Sequence, residues 1–151
     1  MDYCRLPSGP TFQDTDPVNP HPADVSFPRP SALGQQLLAD LHGCDPRTLD
    51  DVALVERVLR EAADLAGATV IQGLFHAFKP QGVSGSLVIS ESHLAIHTWP
   101  EYGVASLDFF TCSATVDTAA ALEHCRAAFR AASVASRQVE RGRPAPDSTD
   151  L

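Results

Sequence analysis

Between residues 68 and 111, four strand-length apolar runs follow one another with only a few residues between them. Residues 68–78 carry Val70, Ile71, Leu74, Phe75 and Phe78, and Lys79-Pro80-Gln81-Gly82 then turns the chain. Residues 84–89 and 93–99 form two more runs around a polar break, Ser90-Glu91-Ser92. Pro100-Glu101-Tyr102-Gly103 turns the chain again before a last run at 104–111. Parallel strands need a crossover of a dozen or more residues, so runs joined this tightly pair antiparallel. A sheet meander is therefore the frame to which the rest of the chain must fit.

The flanking segments supply two helices and two further strands. Leu33, Gln35, Leu37, Ala39 and Leu41 alternate with more polar neighbours, a strand pattern that Gly43-Cys44-Asp45-Pro46 ends. A helix is expected over 48–66, where Leu49, Val52, Val55, Val58, Leu59, Ala62 and Leu65 recur at helical spacing. Asp50 and Asp51 suit its positive end, and Gly67 suits its stop. A second helix is expected over 117–131, with Asp117 as N-cap and Leu122, Cys125 and Phe129 facing inward; a last strand follows at 133–140. The order is β-α-β-β-β-β-α-β: an α+β two-layer sandwich, mainly antiparallel, with both helices on one sheet face. The other face needs its own cover, and a second copy of the chain is the simplest one.

With 151 residues the chain suffices for one domain, placed at 31–143. Residues 1–30 hold seven of the twelve prolines and no apolar period, so a disordered tail is expected there, with a polar tail at 144–151. The formal charge of −8 argues against nucleic acid as a partner. No apolar run approaches a membrane span, and no signal-peptide pattern opens the chain, so the expected location is cytoplasmic. Cys4, Cys44, Cys112 and Cys125 form no C-x-x-C pair. In a reducing compartment each reads, taken alone, as a free thiol.

Polar side chains crowd into the middle of the meander. On a strand, His93, Ala95, His97 and Trp99 share a face. Two histidines on one strand are compatible with metal ligation, but no third ligand stands at a diagnostic spacing, and no metal is assigned. A G-x-S-x-G elbow fails at 82–86 because position 86 is Ser86. Taken singly, Ser84, Ser90 and Ser92 read as turn and edge residues.

Taken together, these segments match a known pattern. Gly82-Val83-Ser84-Gly85, Ser90-Glu91-Ser92-His93-Leu94, Ile96 to Gly103 with its His97-Thr98-Trp99-Pro100-Glu101, and Asp108-Phe109-Phe110-Thr111-Cys112 resemble the bacterial and archaeal S-adenosylmethionine decarboxylase proenzymes. Leu33-Gly34 with Leu37-Leu38, and Phe75-His76 with Phe78, fit the same family. The resemblance covers about residues 31–143 and is most specific from 82 to 112.

The resemblance implies a self-cleaving, pyruvoyl-dependent decarboxylase that supplies decarboxylated S-adenosylmethionine for polyamine synthesis. A decarboxylase needs an electron sink for the carbanion it creates. Family members make theirs by cutting the chain, here between Glu91 and Ser92, and converting Ser92 to a pyruvoyl group that forms a Schiff base with substrate. Ser84 and His97 match the processing serine and histidine, and Cys112 matches the proton donor of the decarboxylation. Phe78, Trp99 and Glu101 fall at substrate-binding positions, the aromatic residues for the adenine and the carboxylate for the ribose. The two cleaved chains are expected to stay together, in a homodimer with its sites between subunits. Three places depart from the family pattern: the Gln35-Gln36 run after Gly34, Ser86 and Val104. Two other functions therefore remain in view. One is a pyruvoyl decarboxylase of ornithine or arginine, and the other is a non-enzymatic subunit paired with an active relative.

Overall fold

The computed structural model describes residues 31–90 and 92–143. Glu91 and the segments 1–30 and 144–151, with Cys4, lie outside the described residues. Six strands form one sheet: β1 (Gly34–His42), β2 (Val70–Ala77), β3 (Val83–Ile89), β4 (Ser92–Trp99), β5 (Val104–Thr111) and β6 (Ser133–Arg141). Their spatial order is β2-β3-β4-β5-β1-β6, and every neighbouring pair is antiparallel. The expected α+β two-layer sandwich is the observed one. The short turns of the meander give β2-β3-β4-β5. The return of β1 beside β5 puts the chain's first strand inside the sheet, flanked by its last.

The helices are α1 (Pro46–Leu49), α2 (Val52–Leu65) and α3 (Thr118–Ala128), with a 3-10 turn at Pro100–Tyr102. The helix expected over 48–66 is thus two pieces. Asp45 caps the first from its side chain, with Pro46 at the first helical position. The break falls at Asp50-Asp51. Asp51 Oδ1 accepts from the backbone N–H groups of Ala53 (3.0 Å) and Leu54 (3.1 Å), which starts a new helix rather than continuing the old one. Asp50 is left free to reach across and accept from the N–H of Gly82 at 2.8 Å. The third helix begins as expected, with Asp117 Oδ1 accepting from Ala119 and Ala120.

One sheet face is buried under α2 and α3. Leu41, Leu87, Leu94, Ile96, Ala105 and Phe109 meet Val55, Val58, Leu59, Ala62, Ala121, Cys125 and Phe129 there. Side chains alternate along strands, so the other face carries the intervening residues. These include Gln36, Leu38 and Asp40 of β1, Leu74 and His76 of β2, Ser84, Ser86 and Val88 of β3, His93, Ala95, His97 and Trp99 of β4, and Ser106, Asp108 and Phe110 of β5. Leu38, Leu74, Val88 and Trp99 are exposed on it. Among the described residues no helix is long and apolar enough to cross a membrane.

Candidate active site

The residues singled out in the sequence gather at two ends of the central strands. At one end, Ser84 and His97 sit opposite each other across the β3–β4 pair, with Ser84 Oγ 2.7 Å from His97 Nδ1. Their surroundings form a cleft of about 330 Å³ lined by Phe78, Gln81, Gly82, Ser84, His97, Thr98, Trp99 and Glu101. Phe78 and Trp99 are about half exposed at its wall, so aromatic surface is available to a ligand. Gln81 Nε2 donates to Glu101 Oε2 at 3.0 Å, which ties the two turns at this end together.

Local structure explains why this cleft is held open. Gly82 has φ +99, and a Cβ there would come within 3.0 Å of the Thr98 carbonyl oxygen, so the turn before β3 takes glycine. Its N–H is held by Asp50, and the next N–H, of Val83, donates to Thr98 Oγ1 at 2.8 Å. The buried Thr98 hydroxyl donates in turn to the Leu49 carbonyl at 2.8 Å. The break at Asp50-Asp51 therefore anchors the turn that presents Ser84, and Thr98 fixes the strand between His97 and Trp99.

At the other end, Ser92 opens β4 and pairs with Ile89 on one side and Thr111 on the other. Cys112 follows Thr111 and is exposed in a groove of about 150 Å³ formed with Leu33, Gly34, Gln35, Ser113 and Glu140. Ser92 and Cys112 are therefore neighbours across two hydrogen-bonded strands. The other described cysteines differ in kind. Cys44 and Cys125 are buried, and burial pushes the Cys125 thiol up to about 12 and raises that of Cys44. Cys112 is the accessible thiol among those described.

The two ends do not meet within one chain. His97 lies five residues along β4 from Ser92, roughly 17 Å at ~3.3 Å per residue. Along β5, Cys112 lies six residues past Ser106, the partner of His97, which is roughly 20 Å. A base must come within about 3 Å of the proton it takes. Ser84, His97, Phe78, Trp99 and Glu101 are thus brought together, Ser92 and Cys112 are brought together, and the two groups stay apart in a protomer.

Sequence reasoning passed over a third arrangement on the open face. Gln36 Nε2 donates to Asp108 Oδ1 at 2.6 Å, and Arg141 Nη1 donates to Gln36 Oε1. The Arg141 guanidinium also stands 5.4 Å from the centre of the Phe110 ring. These residues are far apart in the chain and meet only because β1 lies between β5 and β6. No local spacing signals such a contact.

A mainly antiparallel sheet with helices on one face, and a serine opening a central strand beside an exposed cysteine, defines a small α+β enzyme scaffold with an open functional face. The sequence model of the S-adenosylmethionine decarboxylase family matches residues 35–142, and the chain belongs to that family. It is similar to the S-adenosylmethionine decarboxylase proenzyme of Thermotoga maritima, 50% identical over 112 residues that cover 74% of this chain and 86% of the relative. It is 46% identical to the proenzyme of Acidithiobacillus ferrooxidans over 111 residues, covering 74% and 84%. The crystal structure of the adenosylmethionine decarboxylase from Aquifex aeolicus superposes with a TM-score of 0.71 at 31% identity, over 79% of this chain and 98% of that one.

Proposed function

We propose that this chain is a proenzyme that cuts itself between Glu91 and Ser92, turns Ser92 into a pyruvoyl group, and then decarboxylates S-adenosylmethionine for polyamine synthesis. The observation that carries this reading is the juxtaposition of Ser92 and Cys112 across the β4–β5 pair, beside an open groove. In the processing reaction, the Ser92 hydroxyl attacks the Glu91 carbonyl carbon, and the peptide bond becomes an ester with a free Ser92 amine. Loss of the Ser92 Cα proton then expels the Glu91 carboxylate and leaves a dehydroalanine. Water replaces its nitrogen, releasing ammonia and leaving the pyruvoyl group at the new N-terminus.

The residues present fit that group. Ser92 is the first residue of a strand, so the new end stays anchored by the β4 ladder after the cut. The pyruvoyl group supplies the electron sink for the carbanion formed when CO₂ leaves. Cys112, exposed and next to it, supplies the proton to the substrate α-carbon. A thiol carries an S–H that it can donate, which suits an acid.

Substrate recognition in this reading belongs to the 330 Å³ cleft, a volume within the range of small-ligand pockets, ~300–1,000 Å³. Phe78 and Trp99 offer faces for an adenine, and Glu101 offers a carboxylate to ribose hydroxyls. The separation of this cleft from Ser92 supports a site built by two copies, each giving Ser92 and Cys112 to one site and Ser84, His97 and the cleft to the other. The exposed apolar residues Leu38, Leu74, Val88 and Trp99 on the open face support the same arrangement.

Intact-mass measurement of purified protein should give two chains that meet at Glu91/Ser92. The processed protein should release CO₂ from S-adenosylmethionine and not from ornithine or arginine. A single uncut chain, or preference for either of the other amino acids, would overturn the reading. Cys112→Ala is expected to cut itself yet decarboxylate roughly 10²-fold more slowly or worse, as befits a lost general acid. Wild-type turnover in that variant would remove Cys112 from the mechanism.

A further inference from the structure

Self-cleavage as proposed above takes two protons, one from the Ser92 hydroxyl and later one from its Cα. Within the protomer, the histidine in hydrogen-bond reach of the hydroxyl is not His97. His93 Nδ1 lies 3.3 Å from Ser92 Oγ. On the far side of the same ring, His93 Nε2 stands 3.9 Å from Asp108 Oδ1. That is longer than a hydrogen bond, but the approach of a carboxylate favours the proton on Nε2 and leaves Nδ1 as an acceptor.

Asp108 is itself held in place. Gln36 Nε2 donates to it at 2.6 Å, and Arg141 donates to Gln36 Oε1. Arg141 has only donors, so it fixes which end of the Gln36 amide faces it, and the amide's donor end must face Asp108. The chain Arg141–Gln36–Asp108–His93–Ser92 is therefore polarised in one direction, from a fixed cation to a serine hydroxyl. The Phe110 ring backs it, 5.9 Å from the His93 ring between centres and under the Arg141 guanidinium. Apart from Ser92, every member lies on the open sheet face, contributed by β1, β4, β5 and β6.

We infer that His93, poised between Ser92 and Asp108, is the base that starts self-cleavage, by taking the Ser92 hydroxyl proton onto Nδ1 as Oγ attacks the Glu91 carbonyl. This inference rests on the processing chemistry proposed above. As the C–N bond breaks, the same proton passes to the departing Ser92 amine, so the step needs no other reactant and leaves His93 unchanged. His93 is then a catalytic residue of the acyl shift. Asp108, which acts through His93, is a positioning residue, with Gln36 and Arg141 behind it. His97, reaching the site from a second copy, remains available for the later loss of the Cα proton.

The two steps differ in what accumulates when each is blocked, and hydroxylamine tells them apart because it cleaves esters and spares amides. His93→Ala is expected to stop at the amide: a full-length chain resistant to hydroxylamine, cutting itself roughly 10²-fold more slowly or worse. His97→Ala is expected to accumulate a hydroxylamine-sensitive full-length chain instead. His93→Gln keeps the bulk and a polar tip without the basicity, and should be as slow as His93→Ala, which separates chemistry from folding. Asp108→Asn should slow cutting less, and should add nothing further in a His93→Ala background. Cutting at the wild-type rate by His93→Gln, or a hydroxylamine-sensitive precursor in His93→Ala, would overturn the assignment. Failure of the wild-type chain to cut itself would instead overturn the processing reading on which it stands.

Discussion

Replacing Ser92 with alanine is expected to yield a single full-length chain with no decarboxylase activity above background. The change deletes one oxygen. Among the described residues it contacts His93 Nδ1 at 3.3 Å, a long hydrogen bond whose loss costs about 0.5 kcal/mol. The strand pairing of position 92 with Ile89 and Thr111 uses backbone groups and survives the substitution. Thermal unfolding of Ser92→Ala should therefore match that of an uncut precursor, while intact mass shows no chain ending at Glu91. The loss of activity is complete because the oxygen is used twice: as the nucleophile that breaks the peptide bond, and as the leaving oxygen whose departure makes the dehydroalanine. No neighbouring side chain can replace it, since the electron sink must arise at the residue whose amide is broken. CO₂ release by Ser92→Ala from S-adenosylmethionine, or a cut chain in its mass spectrum, would exclude a pyruvoyl mechanism.

Much of the architecture was legible because antiparallel meanders advertise themselves. Residues 104–111 alternate and are bounded by Gly103 and Cys112, and the strand occupies those positions. The two-helix layer followed from the stripes of Val55, Val58, Leu59 and Ala62 and of Cys125 and Phe129, all buried. The division of the first helix was hidden by its own periodicity. Leu49 and Val52 keep helical spacing across a break that only the capping geometry of Asp51 reveals.

The candidate site was legible as residues but not as a place. His97 follows Ser92 by five positions, and a helix would put them about 7.5 Å apart along its axis. The extended strand more than doubles that distance, so closeness in sequence became distance in space. Gln36, Asp108 and Arg141 show the opposite case. Gln36 stood out only as a departure from a family pattern, and its contacts with residues 72 and 105 positions away arise from strand order alone. Side chains that meet through the β5-β1-β6 adjacency leave no local trace, whereas a turn or a cap does.

The distance between the two ends leads to the second large effect. Ser92→Ala and His97→Ala are each expected to be inactive alone, and to regain activity when produced together. If one site takes Ser92 and Cys112 from one copy and Ser84 and His97 from the other, a mixed dimer holds one complete site. It also holds one site lacking both groups. Random pairing makes about half of all dimers mixed, with one working site in two, so the mixture should reach roughly a quarter of wild-type activity. That estimate assumes unbiased assembly in symmetric dimers. The mass spectrum should agree: only the His97→Ala chain, which retains Ser92, is cut, because only there can a partner's His97 serve an intact serine. A site contained in one chain predicts neither activity nor cutting, since each protomer then lacks a group that no partner can supply. Differently tagged copies, purified through both tags, would raise the specific activity to about half that of wild type. If they stay inactive while Ser92→Ala and wild-type chains co-purify normally, the residues at the two ends must instead meet by some rearrangement within a single copy.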